Sequence, residues 1–420
     1  MPTRKRLPVT GIKPGMYVVG LDRSWLQTPF WFRRKLIKSV DDIDTLKKHG
    51  IREVVVDTLH GADVEGAEST VDPEAEGAQA TEGVKTPGVA AVPLAAEAVA
   101  QSLADELHAA QTIHQRALAA AQNIFDGAAG GTRVNGEVAK KAVLDLTSSI
   151  RRSPEANLLL MQTRRLQQDS FVHSVNVCVL SLVVNTVEEF DNEGSDACAL
   201  GLGALLHDIG ETRIPRNLAR KQDSFSDAER RLLEQHPNLG AMLLEECADI
   251  PMSCRRIVLE HHERIDGSGY PRRSYGGDIS LLSQIVAITD SYDDMLSGRT
   301  QTILPPVEVL EQLLVQSNSG ALDRDLIERV IRCLGVYPIG SLVALNSGER
   351  GIVVAANRAD TLRPIVKVIS SGKGALQPHG PPISLANYGT EVRRIVGVLD
   401  PEKERLDPPA LLRLATELAA

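Results

Sequence analysis

Aromatic side chains are scarce. Six Phe, six Tyr and two Trp make up 3% of the 420 residues, so the cores have to be built from Leu, Val, Ile and Ala. Cysteine is also rare. Cys178, Cys198, Cys247, Cys254 and Cys333 are odd in number, scattered, and without a CxxC pair. Most fall on apolar helical faces as small buried hydrophobes, which gives no thiolate signal for structural zinc or an iron–sulfur cluster and fits a reducing compartment. Long apolar runs are missing too: the longest, Val175 to Val184, is well short of the ~20 residues that span a bilayer. The basic start, "MPTRKRLPVTG", is followed by no apolar run and does not read as a signal peptide. These absences together lead us to expect a cytoplasmic protein with no membrane partner. Positive charge is likewise in deficit. The net charge of -9 argues against a general nucleic-acid binder, and no DNA or RNA partner is expected.

What is present divides into segments, as the length leads one to expect of two to four domains. Residues 1–58 read as a small β-rich domain, with "MYVVGL" and "REVVVD" as strands and "DDIDTLKKHG" as a short helix between them. Residues 59–94 are Gly, Ala, Glu, Pro and Thr with almost no large apolar side chain, an acidic flexible linker. An alanine-rich connecting helix is expected within 95–136, and its 95–123 stretch is a candidate homodimer interface. Residues 137–335 carry repeated 3.6-residue periodicity, for example "SVNVCVLSLVVNTV" and "SLLSQIVAITDSYDDML", and are expected to form a large helical domain. Residues 336–400 alternate apolar and polar across Gly-containing turns, the pattern of a small β-barrel, and 401–420 close the chain with an amphipathic helix. The fold class expected is therefore mainly α, a helical bundle with small β units on either side.

The chemistry concentrates in the helical domain. His173 opens one apolar helix, His207 and Asp208 end another in "ALLHDIGETRIP", and His236 precedes Pro237. His261 and His262 lie together in "LEHHERIDGSGYP", and Asp290 ends the run "QIVAIT". Half of the ten histidines thus sit between 173 and 262, each at the edge of a core-forming segment. Buried imidazoles and carboxylates are costly unless paired or ligated, and helical bundles build metal sites by placing them on successive helices. Mixed His and Asp donors suit Fe, Mn, Zn, Ni or Co.

The ordered set, with "HDIG", "HHERIDGSGYP" and "DSYDDMLSGR", resembles the HD-GYP family of HD-superfamily hydrolases that cleave cyclic di-GMP in bacteria. The likeness covers roughly residues 150–320. "GIKPGMYVVGLDRSWLQTPF" resembles the small N-terminal domain of unknown function often fused to that family, and "LGVYPIGSLVALNSGERGIVV" the barrel-like extension that often follows it. The resemblance implies an HD-superfamily bundle in which His173, His207, Asp208, His236, His261, His262 and Asp290 hold two divalent ions, Fe or Mn, with Asp208 as the bridge. It implies attack on the phosphodiester by metal-activated water, without a protein nucleophile. A third ion would need a carboxylate one turn before the first His, the place Asp169 takes. The loop Asp266, Gly267, Gly269, Tyr270 and Pro271, together with Arg299, would contact the nucleotide. Diguanylate cyclases or other signalling proteins would be partners.

The chain departs from the family pattern at three points. Glu211 stands where the family has the lysine of HDIGK, so the expected catalytic pair is Asp208 and an acid. Thr302 replaces a second cation in "RTQT", and Ile265 replaces an aromatic after "HHER". Three readings follow: a cyclic di-GMP phosphodiesterase, slower than typical members or with Arg213 or Arg264 supplying the lost charge; a cyclic di-GMP receptor or protein-interaction module without useful turnover; or, third in rank, hydrolysis of another phosphorylated nucleotide on the same metal centre.

Overall fold

The structure, a computed structural model, describes residues 4–21, 35–37, 40–48, 51–57, 93–163, 169–190, 195–219, 225–299, 303–358, 360–370, 380–386 and 393–416. The chain divides into two compact units, Met1–Val89 and Ala90–Ala420. Most of the expected linker lies outside the described residues.

In the first unit four strands form one antiparallel sheet in the order β1-β4-β2-β3: β1 (Arg4–Pro8), β2 (Tyr17–Leu21), β3 (Lys35–Leu36) and β4 (Glu53–Asp57). Helix α1 (Val40–Lys48) precedes β4. Alternation sets the buried face: Val54 and Val56 point into a small core with Leu7, Met16, Val18, Ile43 and Leu46.

The second unit begins with the long helix α2 (Pro93–Ala129), followed by α3 (Gly136–Arg152) and α4 (Pro154–Thr163). Next come α5 (Ser170–Val187), α6 (Ser195–Leu206), a 3-10 turn (Ile209–Arg213), α7 (Arg216–Ala219), α8 (Asp227–Leu233), α9 (His236–Glu245) and α10 (Met252–Glu260). Helices α11 (Leu281–Ser297), α12 (Pro306–Asn318) and α13 (Arg324–Leu334) complete the bundle. Helix α5 is its centre. With mean hydropathy 1.6 over 18 residues it is apolar on every side, which a solvated helix cannot be. It has the length and apolarity of a membrane span, yet 78% of it is buried against the protein's own helices. Packing on α6 is close because Gly201 leaves room for Val143 and Leu182, and Gly203 for Ile257. Helix α13 shows the opposite pattern: Leu326, Ile327, Val330, Ile331 and Leu334 form a single buried stripe, and Asp323 caps its start by accepting from the Leu326 N–H.

Five strands follow, β5 (Leu342–Leu345), β6 (Arg350–Ala355), β7 (Ile365–Ser370), β8 (Ile383–Ser384) and β9 (Ile395–Val398), then α14 (Pro401–Glu404) and α15 (Pro408–Ala415). Their sheet is antiparallel with the order β8-β7-β6-β5-β9, and among the described residues its end strands do not pair to close a barrel. The sheet belongs to the same compact unit as the bundle. Helix α15 packs on α4 and β6, and Arg413 donates to the Thr163 carbonyl at 2.9 Å. Helix α2 lies against α3, α4, α5 and the 3-10 turn, and its buried His114 meets Asn157 of α4 at 2.9 Å.

Candidate metal centre

Four helix ends converge. His173 lies in the first turn of α5, and His207 and Asp208 follow α6. His236 begins α9, His261 and His262 follow α10, and Asp290 is in α11. The glycine after "HDI" makes this approach possible: a Cβ on Gly210 would lie 2.0 Å from the His236 carbonyl oxygen and 2.5 Å from the Gly240 nitrogen. No side chain fits where the 3-10 turn crosses α9, and this contact brings Asp208 to His236.

The imidazoles are oriented in a regular way. Nδ1 of His207 is 2.7 Å from the Ala204 carbonyl oxygen, Nδ1 of His236 is 2.8 Å from that of Leu233, and Nδ1 of His261 is 2.8 Å from that of Val258. A carbonyl only accepts, so each Nδ1 carries the proton and each Nε2 presents a lone pair. Those of His236 and His261 face inward and meet, with Nε2 to Nε2 at 3.1 Å, while Nε2 of His207 is 3.3 Å from Nε2 of His173, whose ring lies between the carboxylates of Asp290 and Asp293. His173 has a carboxylate as its outer partner, with Nδ1 2.8 Å from Asp293 Oδ2.

Asp208 stands between the two imidazole pairs. Its Oδ1 is 3.4 Å from His236 Nε2 and 3.6 Å from His261 Nε2. Its Oδ2 is 3.5 Å from His207 Nε2 and 3.8 Å from His173 Nε2. One oxygen per pair is the arrangement of a carboxylate that bridges two cations. Asp290 Oδ1 completes one side at 3.0 Å from His173 Nε2 and 3.6 Å from His207 Nε2. Three groups of donor atoms close enough to share an ion result: Asp208, His236, His261 and His262; His173, His207 and Asp208; and His173, Asp290 and Asp294. Facing lone pairs on buried imidazoles repel unless positive charge lies between them, and mixed imidazole and carboxylate donors suit first-row divalent ions. The residues present fit divalent metal.

The local electrostatics divide the imidazoles. His261 and His262 are held neutral, whereas at His173 and His207 burial is outweighed by acidic neighbours that favour the proton, Asp208 and Asp290 doing so at His207. Burial pushes His261 down to about 4, and burial with the neighbouring imidazoles His261 and His236 pushes His262 well down, so both are neutral donors at neutral pH. Burial opposes a proton on His173, as does Arg299, but hydrogen bonds to Asp290 and Asp293 outweigh both and raise its pKa. Burial opposes ionisation of Asp208 as well, yet the charges of His207 and Arg299 hold it well below the usual carboxylate range. Asp294 moves the other way, pushed up to about 7 by burial and by the Asp290 charge.

Around this centre lie the residues expected to meet the nucleotide. Tyr270 stacks on His262 with ring centroids 4.6 Å apart and an interplanar angle of 27°. The loop that carries it is held by Glu263, a buried carboxylate that accepts the N–H of Arg272 at 2.7 Å and of Ser274 at 2.9 Å. Gly269 passes so close to the preceding chain that a Cβ would sit 2.4 Å from the His262 carbonyl oxygen. Gly267 has φ +77°, and Pro271 follows a cis peptide bond. Asp266 is exposed and closes the loop on itself, accepting from Ser268 N at 2.9 Å and Ser268 Oγ at 2.6 Å.

Arg299 donates to Asp208 Oδ2 at 2.6 Å and to Glu211, which also accepts from Ser170 Oγ at 3.1 Å. Of the two cations considered as substitutes, Arg213 is exposed, while Arg264 is half-buried and donates to the Glu263 carbonyl at 3.0 Å. Thr302 lies outside the described residues.

Asp169 is placed differently from the expectation of a third-ion ligand. It is the exposed N-cap of α5, with ψ 135°, and belongs to none of the three donor groups; Asp294 does. Asp293, Asp294 and Glu263 were not singled out in the sequence. The signal for the first two was their spacing, three and four residues after Asp290 and so on the same helical face.

Comparison with known proteins adds the lineage. Residues 155–326 match the family described as HD domain, and residues 4–139 match a domain of unknown function, DUF3391. The second match runs through α2 into α3, so the sequence family crosses the boundary between the two compact units. A cyclic di-GMP phosphodiesterase of Pseudomonas aeruginosa is 31% identical over 394 residues, covering 94% of this chain and 91% of that protein. The chain belongs to the HD-GYP family. A cyclic di-GMP phosphodiesterase of Borreliella burgdorferi is 21% identical over 54% of this chain and 59% of its own length. A solved HDG"Y"P protein from Bdellovibrio bacteriovorus superimposes with a TM-score of 0.45 at 17% identity, covering 78% of this chain and 98% of that one.

Proposed function

We propose that this HD-GYP protein is a metal-dependent phosphodiesterase that hydrolyses cyclic di-GMP in bacterial second-messenger signalling, in the cytoplasm. The observation that carries the reading is Asp208, whose two oxygens each face a different pair of inward-turned imidazoles. The named activity of the Pseudomonas relative supports the substrate. Bound divalent ions, Fe or Mn, supply Lewis acidity that activates water and polarises a phosphodiester oxygen. His173, His207, Asp208 and Asp290 would hold one, and Asp208, His236, His261 and His262 the other. A third would fall to His173, Asp290 and Asp294. Tyr270, stacked on His262, walls the centre and offers a ring edge to a base. Arg299 presents a fixed cation beside Asp208.

A second reading, a nucleotide receptor without turnover, is favoured by one observation: a carboxylate, Glu211, where the family has a lysine. The test is hydrolysis of cyclic di-GMP by protein purified without oxygen and loaded with Fe(II) or Mn(II). Asp208→Ala is expected to lower kcat at least about a thousandfold, since it removes a donor shared by both ion sites. Full metal content and tight nucleotide binding with no hydrolysis would establish the receptor instead.

A further inference from the structure

Glu211 is not an isolated acid aimed at an incoming anion. One of its oxygens accepts from both Arg299 Nη2 and Ser170 Oγ, while Arg299 Nη1 reaches Asp208 Oδ2 at 2.6 Å. The guanidinium thus spans the two carboxylates, using two of its five N–H groups. Its side chain is 14% exposed and that of Glu211 25% exposed, so the pair lies at the mouth of the centre. Arg299 reaches this place because α11 ends at Gly298, whose φ of +68° turns the chain out of the helix. A cation at position 211 would meet this guanidinium as a like charge.

Given the proposed substrate, we infer that Glu211 is a positioning residue. Its carboxylate anchors Arg299 across Asp208, so the cation that meets the phosphodiester comes from the end of α11 instead of from position 211. The acid and the arginine form one unit. Ser170, at the start of the helix that carries His173, fixes the outer end of that unit. The alternative for Glu211, simple repulsion of the nucleotide, acts independently of Arg299.

A double-mutant cycle separates the two. Full-length wild type, Glu211→Ala, Arg299→Ala and the double variant are compared for cyclic di-GMP affinity in metal-free protein and for kcat and KM with Mn(II), with metal content and melting as controls of folding. Each single change is expected to weaken nucleotide binding about tenfold and to raise KM more than it lowers kcat, and the double variant is no weaker than Arg299→Ala alone. Glu211→Gln, which keeps an acceptor, recovers most of the loss.

Losses that multiply overturn the inference. So does Glu211→Ala tightening the nucleotide in both Arg299 backgrounds, or Glu211→Lys exceeding wild type in kcat/KM. If wild type neither binds nor cleaves cyclic di-GMP, the proposed function falls, and the same cycle is read in Mn(II) affinity without nucleotide. There Glu211→Ala is expected to change affinity about threefold or more when Arg299 is present and not when it is Ala; equal changes in both backgrounds defeat the pairing.

Discussion

His207, His236 and His261 are each oriented by a main-chain carbonyl three residues earlier, at 2.7–2.8 Å. Arg299 is oriented by the side chain of Glu211, and the 266–275 loop by the side chain of Glu263. The ion-facing wall of the centre is held by backbone, the anion-facing wall by side chains. Backbone acceptors come with the helical turn whatever the residue type, so the first wall follows from the fold. The second depends on particular residues agreeing with one another, and it is there that this chain differs from the HD-GYP pattern, at Glu211.

His173 and His262 depart from this on the ion-facing wall: His262 stacks on Tyr270, and the outer partner of His173 is Asp293. Asp293→Asn therefore breaks the comparison most sharply: metal affinity is expected to fall about 10–100-fold, measured by Mn(II) titration, because the partner that orients His173 loses its charge. An unchanged affinity would show that α5 alone orients the ring.

The donor set is sharpened by a pair of changes. Asp294→Asn is expected to reduce the metal bound per chain, read by elemental analysis, whereas Asp169→Asn leaves it unchanged; the reverse result would restore Asp169 as a ligand. On the other wall, Glu263→Gln removes one of two charged acceptors for the loop amides. A rise in KM of about tenfold, with kcat and metal content retained, is expected from the lower end of the ~1.5–3 kcal/mol such bonds contribute, because Gln keeps one neutral acceptor. The smallest effect concerns the thiols. Burial pushes Cys178, Cys254 and Cys333 up, the last to about 12, and Cys247 is buried as well. Native protein treated with iodoacetamide at neutral pH should be labelled, if anywhere, at the partly exposed Cys198, with activity unaffected. Rapid labelling at several sites would indicate a looser core than α5 and α6 form here.

Much of the ion-facing wall was legible because His and Asp stand out against apolar helices. His173 interrupts an otherwise unbroken buried surface, and Asp290 does the same in α11. Asp293 and Asp294 were hidden because acids near a helix end look like an ordinary solvated face; only packing on α5 turns them inward. Asp169 lies outside the three donor groups for a geometric reason. One turn before His173 would share its face only if the helix extended that far, and Asp169 is already extended, with ψ 135°. Glu263 was illegible since its partners are backbone amides nine and eleven residues on, a contact that no periodicity encodes. The terminal sheet was legible as alternation. Its union with the bundle was not, because that depends on how α15 seats on α4.

The three carbonyls that orient His207, His236 and His261 have a consequence for descent. No single codon change deletes a peptide oxygen, so drift in the residues around these imidazoles leaves their tautomer and direction intact. The anion-facing wall has no such insurance, since one base change at Glu211 or Arg299 alters it. A lineage carrying this fold can therefore revise what it recognises while keeping the orientation of these three imidazoles.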